Sequence, residues 1–142
     1  SSSIGMPRRM SAGFDHNRTS LLVAIMEKRL GLNLQGEDIF INIAGGLKIS
    51  EPAVDMGVAA AIAGSFRNRS VDPHTVMIGE VGLTGEVRSV MQLEARLAEA
   101  ERLGFKKCVV PHSIKEDRLI NKSSSLRLVP VKTLSDAFDT VF

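Results

Sequence analysis

Tryptophan and tyrosine are absent from this 142-residue chain, and six phenylalanines make up its whole aromatic complement. Single-stranded bases would find only Phe14, Phe40, Phe66, Phe105, Phe138 and Phe142 to stack on, which disfavours a site built on aromatic platforms. A single cysteine, Cys108, excludes an internal disulfide and any Cys-x-x-Cys metal pair, and fits a reducing cytoplasm. It lies in the apolar run KKCVVP, where a thiol packs as a small hydrophobe. No apolar run reaches the roughly 18 residues that span a bilayer, and the N-terminus has no charged-then-apolar signal pattern, so the reading is cytoplasmic with no membrane partner. There is no GxxxxGK[ST] phosphate cradle and no HExxH spacing, and His16, His74 and His112 are far apart. No metal and no nucleotide cofactor is therefore expected. Charge of neither sign dominates: 18 Lys and Arg against 16 Asp and Glu leave a net +2. Any case for an anionic partner must rest on local clusters.

With 44% hydrophobic and 24% charged residues the composition is that of one soluble globular domain. Residues 1–14, punctuated by Gly, Ser and Pro, read as a linker, and 15–142 as the domain. The Ser-rich start without an initiator Met reads as the middle of a longer protein. From Asp15, an acceptable N-cap, Leu21, Leu22, Ile25, Met26 and Leu30 recur at helical spacing up to Gly31. Residues 38–44 alternate Ile39, Ile41 and Ile43 as a strand, and 47–50 suggest a second. TVMI (75–78) is strand-like, and Thr84-Gly85 is the turn of a hairpin. A third helix over about 91–103 turns Leu93, Leu97 and Ala100 inward and Glu94, Arg96, Glu99 and Arg102 outward, where Arg96 has a surface i,i+3 pairing with Glu99 as one reading. Strands at 107–110 and 126–131 follow. Ser113 with Glu116, and Thr133 with Asp136, are capping boxes. Strand–helix alternation favours parallel pairing and the hairpin is antiparallel, so the class is α+β, a two-layer α/β sandwich.

Residues 45–69, GGLKISEPAVDMGVAAAIAGSFRNR, organise the rest. A Gly-Gly turn leads to Pro52, suited to a helix start, and Asp55 then falls in the first turn of a helix whose dipole favours a carboxylate. Val54, Val58, Ala59, Ala60, Ala61, Ile62 and Ala63 leave no polar face before Ser65, so this helix should begin near Ala53 and be buried on most sides, with Gly57 and Gly64 admitting close backbone neighbours.

Read together with GEVGLTGEVRSV (79–90) and LEARLAEAERLGFKKCVVP (93–111), that stretch resembles the proteolytic domain of Lon-type peptidases. It is more closely similar to the Lon-like C-terminal domain of the RadA (Sms) family of bacterial DNA-repair ATPases, which also shows PRR…DHNR (7–18) and the EPAVDMGVAAAIAGSFRNR block. The resemblance covers nearly the whole chain. It implies the ribosomal-protein S5 domain 2-like architecture of Lon proteolytic domains. It also implies a motor that processes recombination intermediates by branch migration, with a RecA-like ATPase using ATP and Mg and a zinc-binding module upstream of residue 1.

In proteolytic Lon domains a serine on this helix and a lysine on the later one form the catalytic dyad. By the resemblance Asp55 stands at the serine position and Arg96 at the lysine position. Arg96 cannot serve as a neutral base, because a guanidinium stays protonated at any working pH, and Asp55 supplies no hydroxyl. Asp55 and Arg96 are expected as an ion pair in a non-proteolytic domain. Lys48 and Ser50 would share one face of a strand, a displaced serine–lysine pair with nothing to supply oxyanion donors.

Basic residues cluster at Arg8-Arg9, Arg67-Asn68-Arg69 and Lys106-Lys107. The resemblance implies a homo-oligomer, a hexameric ring that scaffolds the upstream ATPase and offers DNA, single-stranded or branched, a non-specific basic surface. Repetition around a ring turns two arginines per subunit into a dense row of cations. Arg67 and Arg69 are the leading DNA contacts, with Arg8, Arg9 and Lys48 behind them. The alternatives are an active peptidase with an altered dyad and a pure protein-interaction module.

Overall fold

The structure, a computed structural model, describes residues 9–12, 16–34, 39–42, 52–114 and 125–142, with backbone alone at 9–12, 16–17 and 39–42. Strand β1 (Arg9–Ala12) pairs in parallel with β2 (Ile39–Asn42), Arg9 opposite Ile39, and between them runs helix α1 (His16–Leu30). On α1 Leu22, Val23, Ile25 and Met26 are buried while Leu21 is exposed, so the apolar stripe is set one residue round from the expected one. Gly31 ends the helix at φ +70°, a left-handed conformation that glycine adopts without steric cost.

A 3-10 turn (Pro52–Val54) precedes helix α2 (Asp55–Arg67), which begins two residues later than the sequence suggests. Asp55, Met56, Val58, Ala59, Ala60, Ile62, Ala63 and Gly64 are buried. Ala61 and Ser65 are exposed and Gly57 is half-buried, so one narrow i,i+4 stripe of small residues stays open on a helix expected to be covered nearly all round. The predicted strand at 47–50 and the Gly45-Gly46 turn lie outside the described residues.

The central sheet is three parallel strands, β3 (Thr75–Met77), β6 (Lys107–Pro111) and β7 (Arg127–Val131), in the order β3-β6-β7. The antiparallel hairpin β4 (Glu80–Val81) and β5 (Val87–Arg88) lies between β3 and α3 (Leu93–Arg102) in sequence, with Gly85 at φ +83° in its turn. Helix α4 (Leu134–Val141) closes the described chain, its Thr133 side chain accepting the Asp136 N–H at 3.1 Å, the cap expected from sequence.

Two cores result. Met77 and Val109 join α1, α2 and α4 around Met56, Ile62, Leu134 and Phe138. Ile78, Cys108 and Val110 join Leu97 and Ala100 of α3. Alternate residues of β3 and β6 thus feed opposite cores, as a parallel sheet covered on both faces requires. The α+β class holds, but with helices on both faces of this sheet the described elements make three layers, sheet included, rather than two. Cys108 is wholly buried and its thiol is pushed up to about 12 by burial, so it stays a packed, unreactive group. No described helix is long and apolar enough to cross a membrane.

Candidate functional site

The two ends of α2 carry the charges of interest. At its start Asp55 is wholly buried. Gly79 makes this possible: its N–H donates to the Ala53 carbonyl at 3.0 Å and its carbonyl accepts the Met56 N–H at 3.2 Å, lacing the end of β3 to the 3-10 turn. A Cβ there would stand 2.8 Å from Val87 Cγ1, so only glycine fits this approach. The chain beyond it delivers the Val81 N–H to Asp55 Oδ2 at 3.0 Å. Arg18, in the first turn of α1, completes the shell: its Nε donates to Oδ1 at 2.5 Å and its Nη2 to Oδ2, a two-pronged guanidinium–carboxylate pair. The same Nη2 reaches Glu80 Oε2 at 3.5 Å.

The ionic partner of Asp55 is therefore Arg18, not Arg96. Arg96 sits half-buried on α3, its Nε donating to the Met91 carbonyl at 2.9 Å, and Glu99 pairs with Arg102 rather than with Arg96. The sequence itself carries a signal for this pairing. Arg18 stands in a helical first turn that contains no acid, against the preference of the helix dipole, and a cation so placed needs a carboxylate from elsewhere. Chemically the Asp55 carboxylate accepts three donors, and neither a hydroxyl nor a neutral amine hydrogen-bonds to it among the described residues. A nucleophile–base pair for acyl transfer is not assembled there.

At the other end α2 closes on Asn68, left-handed at φ 55°, with the Arg69 N–H on the Gly64 carbonyl at 2.8 Å. A Cβ on Gly64 would come within 2.6 Å of the Arg69 carbonyl oxygen, so this glycine, singled out for close approach, is the one that needs it; the same position at Gly57 meets only an ordinary 3.7 Å contact. Arg67 lays its guanidinium 5.7 Å from the ring centroids of both Phe138 and Phe142, which meet edge to face at 5.5 Å. At that distance the ring faces attract the cation and restrict where it can go. This platform was not anticipated, because the spacing of Phe138 and Phe142 reads simply as a helical core face. Arg69 is exposed beside it. Arg8, Lys48 and Ser50 lie outside the described residues, and Arg9 is placed only as a residue of β1. His74 and His112 are exposed, and among the described residues no three His, Cys, Asp or Glu side chains are grouped to hold a metal.

A model of the family described as subunit ChlI of Mg-chelatase matches residues 6–114. The chain belongs to the ChlI family. The ChlI-family match contains Arg18, Asp55, Arg67, Arg69 and Arg96 and stops before β7 and α4. Among curated proteins the chain is similar to DNA repair protein RadA of Halalkalibacterium halodurans, 48% identical over 96% of this chain and 30% of the relative. It is likewise similar to DNA repair protein RadA of Bacillus subtilis, 53% identical over 77% of this chain and 24% of the relative. That of Synechocystis is 46% identical over 91% of this chain and 25% of the relative. The chain thus spans between 24% and 30% of the length of these relatives.

Proposed function

We propose that this chain is a non-proteolytic Lon-like domain, of ribosomal-protein S5 domain 2-like architecture, in a RadA-type DNA-repair ATPase. It assembles as a ring, most simply a hexamer, that keeps upstream RecA-like ATPase domains in register and gives DNA a sequence-independent basic surface. The observation that carries the reading is the buried Asp55–Arg18 pair. The helix start that holds the nucleophile in Lon peptidases is occupied here by a charge-paired strut, and a fold kept without its chemistry is kept for another use. Similarity to segments of DNA repair proteins named RadA supports DNA as the partner. Arg67, pre-oriented on two rings, and the neighbouring Arg69 are its proposed contacts.

The test is light scattering on the full chain together with fluorescence anisotropy of labelled DNA at two salt concentrations, for wild type and Arg67→Ala/Arg69→Ala. A closed oligomer whose salt-sensitive affinity drops in the double variant supports the reading. A monomer that ignores DNA overturns it. Casein hydrolysis that disappears in Asp55→Ala would overturn the non-proteolytic part.

A further inference from the structure

The Lys106-Lys107 doublet reads in sequence as an ordinary solvated pair, yet the sheet brings it other cations. In register, Lys107 is flanked by Thr75 of β3 on one side and Arg127 of β7 on the other. The Lys106 and Lys107 N–H groups both donate to the His74 carbonyl, at 2.9 and 3.2 Å, and the Arg127 N–H donates to the Lys106 carbonyl at 2.9 Å. His74, Lys106 and Arg127 are exposed and Lys107 half-buried. Register partners share a face, so Lys107 and Arg127 stand side by side at the strand spacing of about 4.8 Å, on the face that carries Met77, Val109 and Val129 toward α2 and α4. The loop 68–74 runs from Arg69 to His74, which joins this strand end to the end of α2 that holds Arg67 and Arg69.

Side-by-side like charges on neighbouring strands oppose folding, and among the described residues no acid forms an ion pair with Lys107 or Arg127. Asp72 accepts the His74 N–H at 3.0 Å, Glu101 accepts the Ser125 N–H at 3.1 Å, and Glu99 pairs with Arg102. At the inner end of the row the hydroxyl of buried Thr75 has no hydrogen-bond partner among the described residues. Uncompensated Lys and Arg with no aromatic ring among them suit phosphate rather than base recognition.

We propose that Lys107 and Arg127 form a nucleic-acid phosphate contact of their own, continuous around the strand starts with Arg67 and Arg69, so that the domain grips several successive phosphates rather than one. Lys106 and His74, on the other side of the same strand ends, extend it. The inference rests on the DNA-binding reading above and extends its surface beyond Arg67 and Arg69. Binding through it is sequence-independent and falls steeply with salt, because each neutralised phosphate releases counterions.

The test is anisotropy of a labelled random-sequence duplex titrated with the full chain at several salt concentrations. Wild type is compared with Lys107→Ala/Arg127→Ala, with the charge-keeping Lys107→Arg/Arg127→Lys, and with Arg67→Ala/Arg69→Ala. The alanine pair is expected to lower the slope of log affinity against log salt by about two and to weaken binding at least tenfold, while the charge-keeping pair binds as wild type. Should the alanine pair melt early, exposed Arg127→Glu alone must show the loss. Wild-type slope and affinity in the alanine pair, beside a loss in Arg67→Ala/Arg69→Ala, would overturn the row and leave the arginine loop standing. Displacement of the duplex by inorganic phosphate at matched ionic strength would also overturn it, by assigning the row to a single phosphate. No binding by wild type at all would remove the DNA reading itself.

Discussion

The two ends of α2 use charge in opposite ways. At the first turn a carboxylate is wholly buried and met by a guanidinium from α1 and an N–H from β4, so both its oxygens are engaged. At the last turn and the adjoining strand starts, Arg69, Lys106 and Arg127 are exposed and make no ion pair with the described residues. A buried charge survives only when paired, and its pairing specifies geometry more than it adds stability. An exposed cation left unpaired among its own kind costs the fold a little and remains available to an anion. The contrast separates a structural end from a binding end on one helix about 20 Å long at 1.5 Å per residue.

The strongest way to break that contrast is to strip the buried end. Arg18→Ala leaves Asp55 buried without its cation and should cost about 3–5 kcal/mol, measured as a fall in the urea midpoint. Asp55→Ala should cost less, since the Arg18 side chain is 24% exposed and can turn toward water. Combining Arg18→Ala with Asp55→Ala should recover much of the loss, a coupling that the double-mutant cycle of these variants reads directly. If Arg18→Ala and Asp55→Ala were each neutral, the pair would be no strut at all. Next in size is Gly64→Ala. Its new Cβ would press on the Arg69 carbonyl at 2.6 Å, backbone against backbone, so about 1–3 kcal/mol is expected together with a displaced Arg69. Loss of DNA affinity in this variant, with Arg67 and Arg69 intact, would tie the binding end to the shape of the helix cap.

Much of this fold was legible because it is local. Gly31, Gly85 and the Thr133 cap each announce their conformation within a few residues. The class of the site was legible too, since Asp55 in a first turn of an apolar helix invites a partner. The partner was not, because Arg18 and Asp55 are 37 residues apart and meet only through the packing of α1 on α2. Positional equivalence pointed to Arg96, and the tertiary contact chose otherwise. The same reason hid Arg127 beside Lys107: register between strands separated by a long crossover is decided by packing, and no pattern inside either strand states it. The stacked Arg67 was half legible, its charge from sequence and its platform only from α4.

A smaller effect is expected at the binding end from Thr75→Val, which exchanges an unpartnered buried hydroxyl for a methyl of similar shape. Stability should rise by about 1 kcal/mol in the absence of nucleic acid, seen as a higher melting temperature; a fall would mean that the hydroxyl has a partner the described residues do not supply.

The smallest effect belongs to the hairpin that presents Val81 to Asp55. Glu86 folds back over its own turn, accepting from the Thr84 hydroxyl at 2.6 Å and from Arg88 at 2.9 and 3.1 Å, so close over Gly82 that a Cβ there would lie 2.3 Å from its carboxyl carbon. These bonds, the Thr84 hydroxyl first and Arg88 second, hold its carboxyl down from 4.5 to about 2. A depressed carboxylate contributes stability that is complete above its unfolded value and is lost as the pH falls through the folded one. The advantage of wild type over Glu86→Gln should therefore be constant at neutral pH and shrink between pH 4.5 and about 2. Its size is modest, because the group is solvent-screened. Hydrogen exchange sharpens the comparison of the two ends. In Glu86→Gln the Val81 N–H, bonded to Asp55, should exchange faster while the Arg69 N–H at the far end of α2 does not, because the hairpin supports only the buried pair. Equal acceleration at both would show that the two ends of the helix open as one unit.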